Sequence, residues 1–160
     1  MKRPALVATL LAALVPTIAF AMPQAGKPAP DFTLPTIDGK PLTLSSLRGK
    51  PVYLNLFASW CGPCNEEAPS IGKLSDKYKA KGLNVIGVDE LESADRGRGF
   101  LQKYHLSYVA VVDSDGKMGH DYGAIGLPVH VFIDRAGNVK LLRNGEMSPA
   151  EIEAAIKSIL

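Results

Sequence analysis

The sequence predicts an α/β domain whose central mixed sheet is covered by helices on both faces. Strand-length apolar runs alternate with segments of helical period, and the chain then closes on a hairpin and one capped helix. With 160 residues, 46% of them hydrophobic, one domain can bury a core without metals or disulfide staples.

The first segment does not belong to that core. Lys2 and Arg3 precede an almost unbroken apolar run from Ala5 to Phe20, and Ala19-Phe20-Ala21 has the small-x-small pattern of a cleavage site. The run is short for a membrane span of about 20 residues, and Pro16 interrupts it. Residues 1–21 are therefore expected to be a cleaved export signal, with an uncleaved anchor as the alternative. Losing Lys2 and Arg3 leaves 16 basic residues against 16 acidic ones. Such a balanced chain has no footprint for nucleic acid. Its expected partners are proteins or small thiols, met as a monomer in the periplasm or another extracytoplasmic space.

Residues 22–30, rich in Pro, Gly and Ala, read as a flexible leader, and 31–160 as the domain. Asp31–Leu34 and Leu42–Leu44 flank the turn Asp38-Gly39 and predict a small hairpin. Val52–Ala58, apolar except for Asn55, predicts a strand buried on both faces. Pro63–Lys81 has helical period, with Ile71, Leu74 and Tyr78 on one side and Pro69 as an internal break. Leu83–Val88 is the next strand, and Ser93 is placed to cap a helix reaching about His105. Val109–Val112 gives a third strand, then a turn and a short helix toward Tyr122. Val129–Ile133 and Val139–Leu142 form a hairpin around Asp134–Asn138. Ser148, Pro149 and Glu151 spell a capping box for the last helix, whose apolar side is Ile152, Ile156 and Ile159.

Cys61 and Cys64 are the only cysteines. A disulfide between them closes so small a loop that it stabilises little, so the pair is better explained by chemistry than by structure. The pair lies where a strand ends and a helix begins. A helix N-terminus favours thiolate over thiol, which predicts Cys61 as the exposed nucleophile and Cys64 as the buried resolving thiol.

Trp60-Cys61-Gly62-Pro63-Cys64 is the thioredoxin active-site sequence. With Asn55–Ser59 before it, Glu67-Ala68-Pro69 after it, Pro30-Asp31-Phe32, Tyr122–Pro128 and Phe132-Ile133-Asp134, the chain resembles the TlpA/ResA-like exported thiol–disulfide oxidoreductases. The resemblance implies a thioredoxin fold with an N-terminal hairpin and a central helix–strand insertion. It also implies a cis peptide before Pro128 lying against the cysteines, and a Leu127 backbone that pairs with substrate as a short strand. Trp60, Gly62 and Pro63 would form the rest of the substrate-facing surface.

Glu67 follows Cys64 by one helical turn, either as a solvated carboxylate or as a proton acceptor for the buried thiol. Thioredoxins proper have a buried acid where this chain has Asn55, and Asn cannot titrate. His130, two residues beyond Pro128, departs from the small or hydroxyl residue usual in the family. It is either a satisfied core residue or a helper of Glu67 in a proton relay through the Asn55 region.

The leading expectation is a reductant of disulfides in exported proteins, as in cytochrome c maturation or copper-site assembly, re-reduced by a membrane thiol donor. Gly62-Pro63 favours this over an oxidant or isomerase, for which a histidine is usual at that place. A copper(I)-delivery module using the same sulfurs, with Met118 and His120 as extra ligands, is the alternative. Neither a resident metal nor a cofactor is expected, and His105 carries no functional reading.

Overall fold

The structure, a computed structural model, describes residues 23–160, so the expected export signal lies outside the described residues. Thr33–Pro35 (β1) and Pro41–Thr43 (β2) form the antiparallel hairpin, followed by a short 3-10 turn over Leu44–Leu47. Val52–Phe57 (β3), Asn84–Glu90 (β4) and Val109–Asp113 (β5) are parallel. Val129–Ile133 (β6) lies antiparallel to β3, and Val139–Asn144 (β7) closes the other edge, giving the order β5-β4-β3-β6-β7. The helices are Gly62–Lys79 (α1), Ala94–Lys103 (α2), Lys117–Asp121 (α3) and Pro149–Ile159 (α4).

β3 is buried at every residue because both faces of the sheet are covered. Val52, Leu54 and Leu56 pack with Met118, Tyr122 and the N-terminal hairpin on one face. On the other, Tyr53 meets Ile71 and Tyr78 of α1 and Ile152 and Ile156 of α4, while Phe57 meets Phe100 of α2. The alternation follows from the period-two geometry of a strand, and it places Asn55 on the α1 side. The α4 capping box forms as read, with Ser148 accepting from the Glu151 N–H at 3.3 Å and its own N–H donating to Glu151 at 2.8 Å.

Three expectations need correction. Ser93 sits at the cap of α2, but its side chain makes no capping bond. Its carbonyl instead takes the N–H groups of Arg96 and Gly97. β4 does not stop at Val88 but continues through Asp89 and Glu90, because β5 lies alongside and pairs Val112 and Asp113 with them. Part of the leader is docked rather than flexible. The Gly26 and Ala29 N–H groups donate to the carbonyls of Val139 and Gly137, and the Val139 N–H donates to Lys27. Those backbone groups of the β6–β7 turn region would otherwise face solvent unpaired.

Candidate active site

The carboxyl end of β3 delivers Ser59, Trp60 and Cys61 to the start of α1, where Cys61 is the N-cap. Its Sγ accepts the Cys64 N–H at 3.2 Å, the sulfur counterpart of a capping oxygen. The cysteines are joined as a disulfide with Cα atoms 5.3 Å apart. The expected contrast in exposure is absent, since Cys61 is 5% and Cys64 3% exposed. Phe57, Ala68, Phe100 and Leu127 close around the pair. What reaches solvent instead is the flanking surface, exposed Trp60 and Gly62. The Leu127–Pro128 peptide is cis, and Pro128 is buried at the start of β6.

Glu67 is not solvated. It is buried, its Oε1 accepts the Met147 N–H at 2.6 Å, and its Oε2 lies 3.3 Å from His130 Nε2. That contact misses hydrogen-bond geometry, and both atoms lack another partner. His130 is fully buried, and its Nδ1 is 2.7 Å from the Tyr53 hydroxyl. Burial first, then Tyr108 and Glu67, pushes the Tyr53 hydroxyl well above its ordinary range, so it keeps its proton. Nδ1 is the acceptor available to that proton among the described residues, so Tyr53 donates and the imidazole proton is assigned to Nε2, facing Glu67. His130 therefore faces Glu67 with its N–H side, and its accepting nitrogen is already occupied. Asn55 is opposite His130 in the β3–β6 ladder, but the ring nitrogens go to Tyr53 and Glu67.

Several residues at the site escaped the sequence reading. The Ser59 N–H and hydroxyl both donate to Glu92, at 2.6 and 2.7 Å, tying the loop before Cys61 to the end of β4. The Asn65 amide donates to the Ser59 and Cys61 carbonyls and accepts from Tyr104 and Lys103, fixing the same loop from α2. Asp89, Glu90 and Asp113 are buried at the carboxyl ends of β4 and β5. Burial, reinforced by Glu92, raises Asp89 to about 7, and burial with the neighbouring Asp113 raises Glu90 to about 8. The one sequence signal was an Asp-Glu pair directly after an apolar strand.

Among the described residues, no group of three or more His, Cys, Asp and Glu side chains is arranged to hold a metal ion. Met118 is buried with Val88 and Tyr122 on the hairpin face, in a different cluster from the cysteines, and His120 is exposed.

The pattern of the Redoxin family matches residues 24–157. The chain belongs to the Redoxin family. This redoxin is 35% identical over 136 residues to the thiol–disulfide oxidoreductase ResA of Bacillus thuringiensis, covering 85% of this chain and 79% of that protein. It is 34% identical to the thioredoxin-like protein YneN of Bacillus subtilis, over 81% of this chain and 77% of YneN. A thioredoxin-family thiol:disulfide interchange protein of Chlorobium tepidum superposes with a TM-score of 0.74 at 28% identity, over 87% of this chain and 97% of that one. A secreted disulfide oxidoreductase of Mycobacterium tuberculosis gives 0.72 at 28% identity, over 79% and 95%. The redoxin is thus a thiol–disulfide oxidoreductase of the ResA type on a thioredoxin fold, with Cys61 and Cys64 as its redox pair.

Proposed function

We propose that this oxidoreductase is exported and acts as a reductant of disulfides in extracytoplasmic proteins, working as a monomer and re-reduced by a membrane thiol donor. Cytochrome c maturation or copper-site assembly is the setting that its family resemblance favours. The observation that carries the reading is the pairing of a Gly62-Pro63 redox motif with a buried acid, Glu67, one turn behind Cys64, bonded by the Met147 N–H and faced by His130. The secreted character of the M. tuberculosis relative and the apolar N-terminal run support export.

In the forward direction the Cys61 thiolate, stabilised by the helix N-terminus, attacks one sulfur of the substrate disulfide. The Cys61–substrate bond forms, the substrate S–S bond breaks, and the departing thiolate takes a proton from water. Glu67 then receives the Cys64 proton. The Cys64 thiolate attacks the Cys61 sulfur, the second substrate thiolate departs and is protonated, and the Cys61–Cys64 disulfide is left. Two electrons have moved from the protein to the substrate. Leu127 contributes its backbone to an extended substrate segment, Pro128 packs behind it, and Trp60, Gly62 and Pro63 form the opposite wall.

Two measurements test this. The reduction potential against glutathione should lie near the thioredoxin value of about −270 mV; one near the DsbA value of about −120 mV overturns the reductant direction. Cys64→Ser, expressed with its export signal, should capture extracytoplasmic proteins through Cys61. Stoichiometric copper(I) retained on purification, with no disulfide turnover, would replace the enzyme reading with that of a delivery module.

A further inference from the structure

Beside the disulfide lies a cleft of ≈ 410 Å³ between Trp60 on one side and Gly126 and Leu127 on the other. Its rim is apolar and unusually exposed for such residues, with Trp60 at 66%, Leu91 at 62% and Ile125 at 88%. Its wall is acidic. Glu90 lines the cleft while only 4% exposed, and its Oε1 has no hydrogen-bond partner. Exposed Asp115 lines the same space.

Glu90 is paired across the β4–β5 ladder with Asp113, whose Oδ1 is also without a partner. The Asp113 Oδ2 accepts the Gly119 N–H at 2.8 Å, and the Glu90 carboxyl lies so close to Gly119 that a Cβ there would collide with it. The pair therefore packs against the backbone of α3. Among the described residues no lysine, arginine or histidine forms an ion pair with Glu90, Asp113 or Asp89. Lys117, the nearest cation in sequence, is committed to Asp121, and His120 faces Asp121 as well. Buried acids are ordinarily paired, so a carboxyl pair lacking a cation at the wall of an open apolar cleft is complementary to a cation brought from outside.

We propose that this cleft is a specificity subsite for a lysine or arginine side chain of the substrate polypeptide near its attacked cysteine. The aliphatic stem packs along Leu91, Ile125 and Leu127, Trp60 covers the stem or the charged head, and the head meets Glu90 with Asp113 behind it. The site adjoins the Leu127 backbone, so the same extended segment presents its cysteine to Cys61 and its basic side chain to the cleft. The inference rests on the reading of the protein as a disulfide reductant and narrows its substrate class.

The test is single-turnover oxidation of the reduced wild-type protein, followed by Trp60 fluorescence. The oxidants are a series of disulfide peptides differing at one position within three residues of the attacked cysteine. That position carries lysine, norleucine or glutamate. Lysine should raise the second-order rate constant about tenfold or more over norleucine at low salt, with glutamate slowest. The lysine advantage should shrink in high salt, and in Glu90→Gln the lysine-to-norleucine ratio should fall to within about twofold of one. Equal rates for lysine and norleucine at every position in wild type overturn the subsite while leaving the reductase reading intact. Rejection of every peptide overturns the reductase reading, and the subsite with it. Because the peptide series is run on the wild-type protein, the result stands whether or not Glu90→Gln folds.

Discussion

Buried carboxyls stand at two places around the central sheet, and their surroundings differ completely. On the α1 face of β3, Glu67 has a backbone N–H on one oxygen and the His130 ring facing the other. At the ends of β4 and β5, Glu90 and Asp113 have each other, the further acids Asp89 and Asp115, and the backbone of α3. The neighbouring strand makes the difference. β6 places a histidine opposite Asn55, within reach of α1, whereas β5 places a second acid opposite Glu90. One carboxyl has a backbone donor and a histidine facing it; the other pair keeps a proton at the wall of a cleft.

The largest effect should come from the sulfurs of the redox pair. Cys61→Ser should abolish turnover, and Cys64→Ser should accumulate a mixed disulfide at Cys61, read by intact mass. Preferential alkylation of Cys64 in the reduced protein would reverse the assignment and place Glu67 behind the nucleophile instead.

Next in size is the proton step. Glu67→Gln should slow resolution of the mixed disulfide about a hundredfold and flatten its pH–rate profile. His130→Leu should give a smaller loss, because the imidazole proton assigned to Nε2 leaves that nitrogen no room for the Cys64 proton. Unchanged profiles in both variants would leave water as the proton carrier and remove the functional half of the comparison.

The acids at the end of β4, Asp89 and Glu90, should show in stability. A carboxyl raised on folding binds more protons in the native than in the unfolded state between its two values. Its contribution is full below the unfolded value and is lost as pH rises through the folded one. With Asp89 at about 7 and Glu90 at about 8, urea midpoints should fall between pH 5 and 9. Glu90→Gln should reduce that slope, and a wild-type midpoint that rises over this range would contradict the burial argument.

The smallest effect concerns one hydroxyl behind the disulfide. Tyr53→Phe leaves His130 Nδ1 buried without its donor and should cost about 1–3 kcal/mol in urea unfolding. A neutral result would mean that the Tyr53–His130 hydrogen bond contributes nothing net to stability.

Local pattern alone was enough to place the strands of the central sheet, though not the end of β4, and for the Cys61 helix start, the hairpins and the α4 cap. Each depends on a periodicity of 2 or 3.6 residues, or on a side chain reaching its own backbone three residues away. Glu67 and His130 could each be named from the resemblance, but not their contact, which joins α1 to β6 across 63 positions and needs the packed sheet between them. Tyr53 read as one more strand aromatic until β6 brought His130 to its hydroxyl. Cys61 is buried rather than exposed because it joins a cluster with Phe100 and Leu127, both distant in sequence.

Asp89 and Glu90 mark the limit most clearly. By composition they end a strand, since charged side chains are seldom fully buried. Only the register with β5, and the bare Gly97 and Gly119 backbones that leave room for two carboxyls, decided that they lie inside. The sequence by itself determined the redox pair, its place at a helix N-terminus and the order of the elements, because these are set by neighbours along the chain. The tertiary structure decided which acid has a partner and which has none, because desolvation and pairing depend on what packs across the sheet.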